Sequence, residues 1–492
     1  MDKWVPRLPL WLLCFLTFIG YSLTAVYFPL SLYYNRLPLP DIRSFTPSLG
    51  QGLVYACGLL LLYGLYLQAS RQPPRLWIIL GTAVLFALPL LFTFPVNATD
   101  VYRYFIRGRV SSIYGENPFT QPPTAFAQDP FKDLAGEWSN ETSPYGPIWE
   151  MVATAVTTIA QNNLYLGLIL FKLVGLFTHL LIALLIWLLL ARQKATNRNR
   201  AVLLWAWNPA LLLTFVVDAH NDGLMLVWLL LGYWLAQLEF SQGWAPEQLA
   251  LSFTIICLAP LSKPIGLLPL PFFFLAFWRQ LVDNRARLRF LGLSALGGIV
   301  VLAIAFWPFG SPLALASRLL REATEGAGFS ITTLLLLLNQ RLKVDLSWAV
   351  LTNLTRFVAG VLGAWALWLT GNGRSPNRAT ADIFSLYILQ ALNFRIWYSV
   401  WAIPFLLLEI KDSGFENSPL PPASVAPLLS LPPRLQVGLI FLLTTQLSVL
   451  IYGHLRVYAL VGDHFPAHLI GVPFTFGLPF LLAWYKRHRP VP

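Results

Sequence analysis

Acidic and basic side chains suited to proton transfer and phosphate binding lie together in FPVNATDVYRYFIRGRV, residues 94–110, directly after an apolar run. Asp100 stands at the start of a helix predicted over residues 101–114, which also carries Arg103, Arg107 and Arg109. A carboxylate at a helix N-terminus stays ionised, which suits a general base or a metal ligand equally. The stretch predicts a base at Asp100, with helix capping as the alternative. Arg103 is the arginine expected to meet phosphate, while Arg107 and Arg109 are expected to hold the helix against lipid head groups.

A second group of ionisable residues, DAHND at 218–222, joins two apolar runs. Ionisable side chains at membrane depth are costly, so Asp218, His220 and Asp222 indicate a functional role. Their spacing also permits a divalent metal, although three groups on one loop are not a firm metal signature. The alternative is structural, with Asn221 and Asp222 turning the chain and capping the next helix.

Basic and aromatic residues at the ends of apolar runs complete the candidates. Lys263 stands alone between two prolines, where it would either bind the phosphate of a lipid substrate or snorkel to the interface. The segment FRIWYSVWAIPF, residues 394–405, contributes Arg395, Trp397 and Tyr398, although aromatics at a span end also form the usual interfacial belt. Weaker polar candidates lie near the C-terminus: Arg456, Asp463, His464 and His468.

The chain that must position these residues is 57% hydrophobic and only 11% charged, which predicts an all-α polytopic membrane protein. The polar gaps are too short for a separate soluble domain, so residues 1–492 are expected to form a single integral-membrane domain. The formal net charge of +12 comes mostly from short loops, where cations set orientation and meet anionic lipids, so nucleic-acid binding is not expected. The three cysteines lie singly in apolar runs, which favours neither disulfides nor a zinc site.

Apolar segments long enough to suggest about thirteen to fourteen crossings recur along the chain. They are residues 8–31, 52–69, 76–95, 163–191, 201–218, 222–238, a broken pair within 249–278, 290–309, 347–370, 381–395, 398–410, 435–452 and 467–485.

The most basic loops fix the predicted orientation. By the positive-inside rule they lie in the cytoplasm: RQPPR (71–75), RQKATNRNR (192–200), RQLVDNRARLR (279–289), GNGRSPNR (371–378) and YKRHR (485–489). This arrangement requires that residues 146–161, a short segment carrying Glu150, do not cross the membrane, so we predict an interfacial or re-entrant helix there. Both termini are then cytoplasmic, and the loop at 96–161, the DAHND segment, Lys263 and Arg395 all fall on the outer face.

Motifs in order along the chain add a family resemblance: ATDVYRYFIRGRV, YGENPF and SPYGPIW, then WNPALLL and HNDGLML, then LSKP, and finally IWYSVWAIPF. Together they resemble the bacterial polyprenol-phosphate-mannose-dependent α-mannosyltransferases of the GT-C class of integral-membrane glycosyltransferases. Members of that class carry an essential acid in the first large outer loop, often followed by a membrane-surface helix, and Asp100 and the segment at 147–160 match this pattern.

The resemblance implies a transfer that inverts the anomeric centre, from a polyprenyl-phosphate-linked sugar, mannose or another hexose, to an acceptor. It implies that Asp100 is the general base, and that Arg103, Lys263 and Arg395 bind the donor phosphate. Substrate contacts would come from His220, Asp222, Tyr102, Trp397 and Tyr398. The class also has a fixed core of spans followed by variable C-terminal helices, here residues 381–492.

Two expectations about partners follow the same resemblance. The metal-dependent branches carry paired acids in the outer loop, whereas Thr99 and Val101 flank Asp100, so no cofactor is firmly implied and a divalent metal stays possible. No large outer domain follows the spans, which favours a glycan or lipid acceptor over a peptide. The competing hypotheses are a transporter or flippase of a lipid-linked sugar that performs no chemistry, and a membrane scaffold without an active site.

Overall fold

The computed structural model describes residues 8–33, 49–238, 245–322, 328–344, 346–410, 431–455 and 464–488. In the N-terminal part the helices are α1 (Leu10–Tyr27), α2 (Leu30–Tyr33), α3 (Leu49–Ala69), α4 (Leu76–Leu91), α5 (Asp100–Ser112) and α6 (Pro147–Ala160), with short 3-10 turns at Pro123–Ala125 and Lys132–Trp138. The central helices are α7 (Leu164–Arg192), α8 (Arg198–Ala206), α9 (Pro209–Leu212) with a π-helical turn at Leu213–Val217, α10 (Asp222–Leu235), α11 (Ala245–Ile256), α12 (Leu258–Ser262) and, after a 3-10 turn at Pro264–Leu267, α13 (Leu270–Gln280).

The C-terminal helices follow the order of the apolar runs in the sequence. They are α14 (Asn284–Phe306), α15 (Leu313–Glu322), α16 (Ile331–Leu342), α17 (Trp348–Gly371), α18 (Pro376–Gln390), a 3-10 turn at Ile396–Val400, α19 (Ile403–Leu408), α20 (Pro433–Val449) with a π-helical turn at Leu450–Leu455, α21 (His464–Val472) with a π-helical turn at Pro473–Gly477, and α22 (Leu478–His488).

Local sequence signals begin several of these helices. The side chains of Asn163, Asp283 and Ser347 accept hydrogen bonds from backbone amides in the first turns of α7, α14 and α17. Proline occupies the first turn of α6 and of α18, where its missing amide hydrogen costs nothing. These helices therefore begin at defined residues, which also fixes which of their side chains face the neighbouring helices.

Membrane-length helices confirm the predicted all-α polytopic class. Eight helices in the described parts of the chain are long and apolar enough to cross a bilayer, or up to nine if the pair α8 and α9, bent by 49°, is one span. This number is below the expected thirteen to fourteen because several predicted spans form shorter helices. The shorter apolar helices are Leu76–Leu91, Asp222–Leu235, Ile331–Leu342 and Ile396–Leu408.

Burial separates the helices that form the core from those that face lipid. Every residue from Ala201 through Asp222, which spans most of α8, α9 and the DAHND link, is buried. In α14 and α17 only 17% and 11% of the membrane-length window is buried, so these helices present their apolar side chains to the bilayer. The segment that carries His220 and Asp222 therefore lies inside the bundle, surrounded by other helices.

The segment between α4 and α7 folds onto the bundle through α5 and α6. Gly108 allows these two helices to approach closely, because a Cβ atom at this position would overlap the backbone oxygen of Ala153. Helix α6 is 14 residues long and is not among the membrane-length helices.

The expectation that Arg107 and Arg109 contact lipid head groups is wrong. Both are only 2% exposed. The Nε of Arg109 donates to Asp129 Oδ2 at 2.9 Å, and its guanidinium donates to the Gln161 carbonyl oxygen at 2.5 Å. Arg107 donates to the Glu141 carbonyl oxygen at 3.3 Å. Both arginines therefore tie α5 to the segment at residues 129–161 from inside, since a buried guanidinium requires several acceptors.

Candidate active site

Asp100 begins helix α5, and its carboxylate pairs with a cation. The residue before it, Thr99, makes no side-chain cap, and Arg103 donates to Asp100 Oδ1 at 2.7 Å across one turn of the helix. Asp100 is 5% exposed, while the Arg103 side chain is 20% exposed and lies over the ring of Trp138 at 5.4 Å. The almost buried Asp100 carboxylate is therefore paired with Arg103, whose guanidinium side chain keeps part of its surface exposed.

His220 lies between two carboxylates. Its Nδ1 is 3.9 Å from Asp100 Oδ2 and 3.8 Å from Asp222 Oδ2, which is too long for a direct hydrogen bond to either. Both ring nitrogens are buried without a hydrogen-bond partner among the described residues, and the ring stacks on Trp397 at 4.2 Å between centroids. Burial lowers the pKa of His220 to about 4, although the two carboxylates oppose the shift. The neutral imidazole thus has both nitrogens available to a substrate.

Asp222 and Lys263 form the second ion pair of the site. Lys263 Nζ donates to Asp222 Oδ2 at 2.7 Å and to Asn221 Oδ1 at 3.2 Å, and the other carboxylate oxygen of Asp222 accepts from the indole of Trp401. Asp222 is fully buried, whereas the Lys263 side chain keeps 13% of its surface. The break between α12 and the next turn, where Pro264 follows Lys263, brings this lysine to the DAHND segment.

Positive charge holds Asp100 ionised. Burial alone would raise the pKa of Asp100, but the neighbouring cations, Arg103 first and then Arg395 and Lys263, outweigh burial and lower it. Arg395 is half-buried, and its guanidinium has no hydrogen bond or ion pair with the described residues. The cluster therefore combines an ionised carboxylate with cations that keep part of their surface exposed.

The aromatic residues predicted for the site divide into two groups. Trp397 stacks on His220, and Tyr398 stacks on Trp401 at 4.3 Å and faces Lys263, whose Nζ lies 5.9 Å from the Tyr398 ring. Tyr102 is buried in the core beside Phe94, with ring centroids 6.1 Å apart, and its hydroxyl has no hydrogen-bond partner among the described residues. Trp397 and Tyr398 thus line the cluster, whereas Tyr102 packs beneath it.

Other predicted residues lie apart from the cluster. Asp218 accepts a hydrogen bond from the Asn97 amide at 3.3 Å, because Ala219, with φ of 55°, turns the chain between Asp218 and His220. His468 binds backbone oxygens of His464 and Gly328. Arg456 and Asp463 lie outside the described residues.

The Asp-x-His-x-Asp run does not converge on one point. Within the described ranges no group of three or more His, Cys, Asp or Glu side chains is arranged to hold a metal ion. The side chains available to a ligand are instead the imidazole of His220 and the cations Arg103, Lys263 and Arg395.

Sequence reasoning missed several residues that shape the site. Trp401 donates to Asp222 and Trp138 lies under Arg103, while Asn221, expected only to turn the chain or cap a helix, also accepts from Lys263. Lys172 is fully buried in the middle of α7, and a charged residue inside so apolar a run is a signal that the sequence does carry. Nothing in the local sequence around Trp138 or Trp401 distinguishes them from the other tryptophans.

The arrangement can remove a proton at Asp100 and balance an anion with cations nearby. Membrane-length helices around a buried acid, a neutral histidine and several cations define a polytopic membrane enzyme.

Comparison with known proteins gives the family. Residues 23–279 match the family model described as alpha-(1->6)-mannopyranosyltransferase, N-terminal domain. This match covers more than half of the chain, and the chain belongs to that family of membrane glycosyltransferases.

Curated relatives from actinobacteria match the chain over different lengths. The alpha-(1->6)-mannopyranosyltransferase A of Mycobacterium tuberculosis is 32% identical over 30% of this chain and 28% of its own length. The protein of the same name from Corynebacterium glutamicum is 26% identical over 28% of each chain. A probable alpha-(1->6)-mannopyranosyltransferase of Mycolicibacterium smegmatis is 25% identical over 73% of this chain and 69% of its own length. The matches to the first two thus span little more than a quarter of those relatives. No solved structure matches the chain.

Proposed function

We propose that this protein transfers a mannosyl residue from a polyprenyl-phosphate-linked donor to a hydroxyl of a glycan or lipid acceptor. The observation that carries the proposal is the Asp100 carboxylate, almost buried and held ionised by the cations Arg103, Arg395 and Lys263, in a family named for mannosyl transfer. An α-product formed with inversion requires a β-linked donor.

The groups in the cluster account for each part of the reaction. Asp100 takes the proton of the acceptor hydroxyl as its oxygen attacks the anomeric carbon, and the bond from that carbon to the phosphate oxygen breaks. Lys263 and Arg395 balance the charge of the departing polyprenyl phosphate, and Arg103 is free to do the same when it leaves Asp100. The unpartnered nitrogens of His220, stacked on Trp397, orient sugar hydroxyls. A lipid-borne donor also fits a site enclosed by apolar helices.

The proposed reaction takes place at the outer face of the membrane, with both termini in the cytoplasm. Support comes from the basic loops, which favour the cytoplasmic side and lie away from the segments that meet at Asp100. Reporter fusions test this orientation, and a fusion after Asn197 is expected to be cytoplasmic and one after Gln128 outer. The reverse result contradicts it.

Replacement of Asp100 by Asn tests the mechanism directly. The purified protein is reconstituted with polyprenyl-phosphate mannose and a short mannoside, and product and free polyprenyl phosphate are both measured. We expect Asp100→Asn to lower kcat by roughly 100-fold or more, since general-base catalysis typically contributes on the order of 10²–10⁴-fold. Full activity of the variant contradicts the assignment of the base.

A matched control and the competing function complete the experiment. Asp133 is an exposed acid in the same outer loop, so Asp133→Asn is expected to retain wild-type activity. A flippase would move the lipid-linked sugar across the bilayer with no free polyprenyl phosphate formed. Movement without product in the wild-type protein would therefore exclude the transferase.

A further inference from the structure

Lys172 lies in the apolar helix α7 and makes no ion pair within 4 Å in the described structure, although its side chain is fully buried. Its ammonium is held by four backbone carbonyl oxygens. Lys172 Nζ donates to Thr93 at 2.7 Å and to Val217 at 2.5 Å, with longer contacts of 3.4 Å to Leu90 and Val216. A buried ammonium is costly, and this set of acceptors offsets the cost.

The four carbonyls belong to the C-terminal ends of two different helices. Leu90 and Thr93 lie at the end of α4, and Val216 and Val217 end the π-helical turn that follows α9. Carbonyls at a helix C-terminus carry partial negative charge, so a single cation stabilises both ends at once. Lys172 thereby joins two chain segments that are far apart in sequence.

Each of these segments leads directly into the site. The chain runs from Thr93 through Asn97 to Asp100, and from Val217 through Asp218 to His220. The Asn97 amide donates to Asp218 Oδ1 at 3.3 Å, which ties the two segments together a second time.

The Asn97 side chain anchors the same junction to distant helices. It donates to the Tyr55 hydroxyl at 2.8 Å and also to Gln446, and Gln446 in turn donates to Thr214 at 3.4 Å. The junction is therefore held by polar contacts from α3, α7 and α20, and none of these contacts reaches Asp100 or His220 itself.

We propose that Lys172 is a positioning residue that fixes the separation between Asp100 and His220 by joining the two segments that carry them. It does not touch the reacting atoms. Because the Nδ1 of His220 and the Oδ2 of Asp100 are 3.9 Å apart, a small relative shift of the two segments changes how both meet one substrate.

The test compares Lys172→Met with a control on the same helix. His179 is also fully buried in α7, binds the Ala206 carbonyl oxygen at 3.1 Å, and packs its ring on Phe215 at 5.7 Å between centroids, a ring contact that phenylalanine keeps. His179→Phe removes a comparable buried polar contact. Hydrogen exchange of residues 93–100 and 217–222 is measured in both variants and in the wild-type protein.

We expect faster exchange in both segments for Lys172→Met and unchanged exchange there for His179→Phe. Unchanged exchange in Lys172→Met overturns the proposal. This measurement requires no turnover, so it decides the role of Lys172 even if the wild-type protein fails to transfer mannose and the proposed function falls.

The kinetic part of the test, which measures kcat and KM, rests on the proposed function. Lys172→Met is expected to lower kcat by roughly 10- to 100-fold with the donor KM changed by no more than about twofold, because misplacement of catalytic groups weakens the transition state more than substrate binding. An equal loss in His179→Phe shows general destabilisation and overturns the proposal. If Lys172→Met does not fold, Lys172→Gln is measured in its place, because its amide can still donate to one carbonyl, and the same pattern of exchange is required of it.

Discussion

Lys263 and Asp222 form a 2.7 Å ion pair between the break after α12 and the first turn of α10, and only Lys263 retains exposed surface. Trp401 and Asn221 complete the surroundings of the pair. The buried Asp222 carboxylate contacts the Lys263 ammonium from the interior of the bundle. The exposed side of the ammonium is therefore available to a second anion. The pair therefore has the geometry of a preorganised anion contact, in which the cation does not need to move when the ligand arrives.

Lys263→Met should weaken use of the lipid-linked donor. A hydrogen bond to a charged group contributes about 1.5–3 kcal/mol, so kcat/KM for polyprenyl-phosphate mannose is expected to fall by roughly 10- to 100-fold. Lys263→Arg retains the charge but not the compact ammonium and should lose less. The control is Lys132→Met, a cation in the segment between α5 and α6, and equal kcat/KM in the Lys263→Met and control variants contradicts a role in phosphate binding.

The pH dependence of activity should reflect a neutral His220 and an ionised Asp100. Burial lowers the pKa of His220 to about 4, and neighbouring cations hold the pKa of Asp100 below its usual value. Both groups therefore keep their active forms as the pH falls through 6, and kcat/KM should decline only as it approaches about 4. An acid limb at the ordinary histidine pKa of 6.5 would show that His220 is solvated, in conflict with its burial.

Glu150 should make stability depend on pH. Its side chain is buried in α6 with one hydrogen bond from Ser143, and burial raises its pKa from 4.5 to about 7. The folded protein holds this proton more tightly than the unfolded chain, so the free energy of unfolding falls as pH rises from about 4.5 to about 7.

Glu150→Gln removes that titration and keeps the shape of the side chain. Relative to the wild-type protein, the variant is expected to gain up to about 3 kcal/mol between pH 5 and pH 8, measured by thermal unfolding in detergent. The exposed Glu116 serves as the control, and Glu116→Gln should leave the pH dependence unchanged. Parallel curves for Glu150→Gln and the wild-type protein would show that Glu150 titrates normally.

Much of this architecture follows from the sequence because the chain is so apolar. Ionisable residues are scarce in it, so Asp100, His220, Asp222 and Lys263 stand out by type alone, and the structure brings all four into contact or near contact. The break at Lys263 is likewise encoded by flanking prolines. These signals are local and require no knowledge of tertiary packing.

Other features depend on tertiary contacts that no local pattern encodes. The turn at Ala219 points Asp218 away from His220, although the sequence favours φ below zero at an alanine. Arg109 appears from sequence to be a surface cation, yet it pairs with Asp129 from a distant part of the loop. Apolar length in the sequence overestimates the length of some helices, because α4 and α10 end at breaks next to the site and are shorter than the membrane-length helices.

Gly108→Ala should disturb the packing of α5 on α6 and thereby the position of Asp100. The added Cβ would overlap the carbonyl oxygen of Ala153, a backbone atom that cannot rotate away, so the two helices must separate. Overpacking of this kind typically costs about 1–3 kcal/mol, and we expect a lower unfolding temperature together with reduced kcat. Gly81→Ala in α4 is the matched control, because a Cβ there meets nothing within 4 Å and alanine favours a helix. If both variants unfold at the wild-type temperature with wild-type kcat, the close approach of α5 to α6 does not hold Asp100 in place.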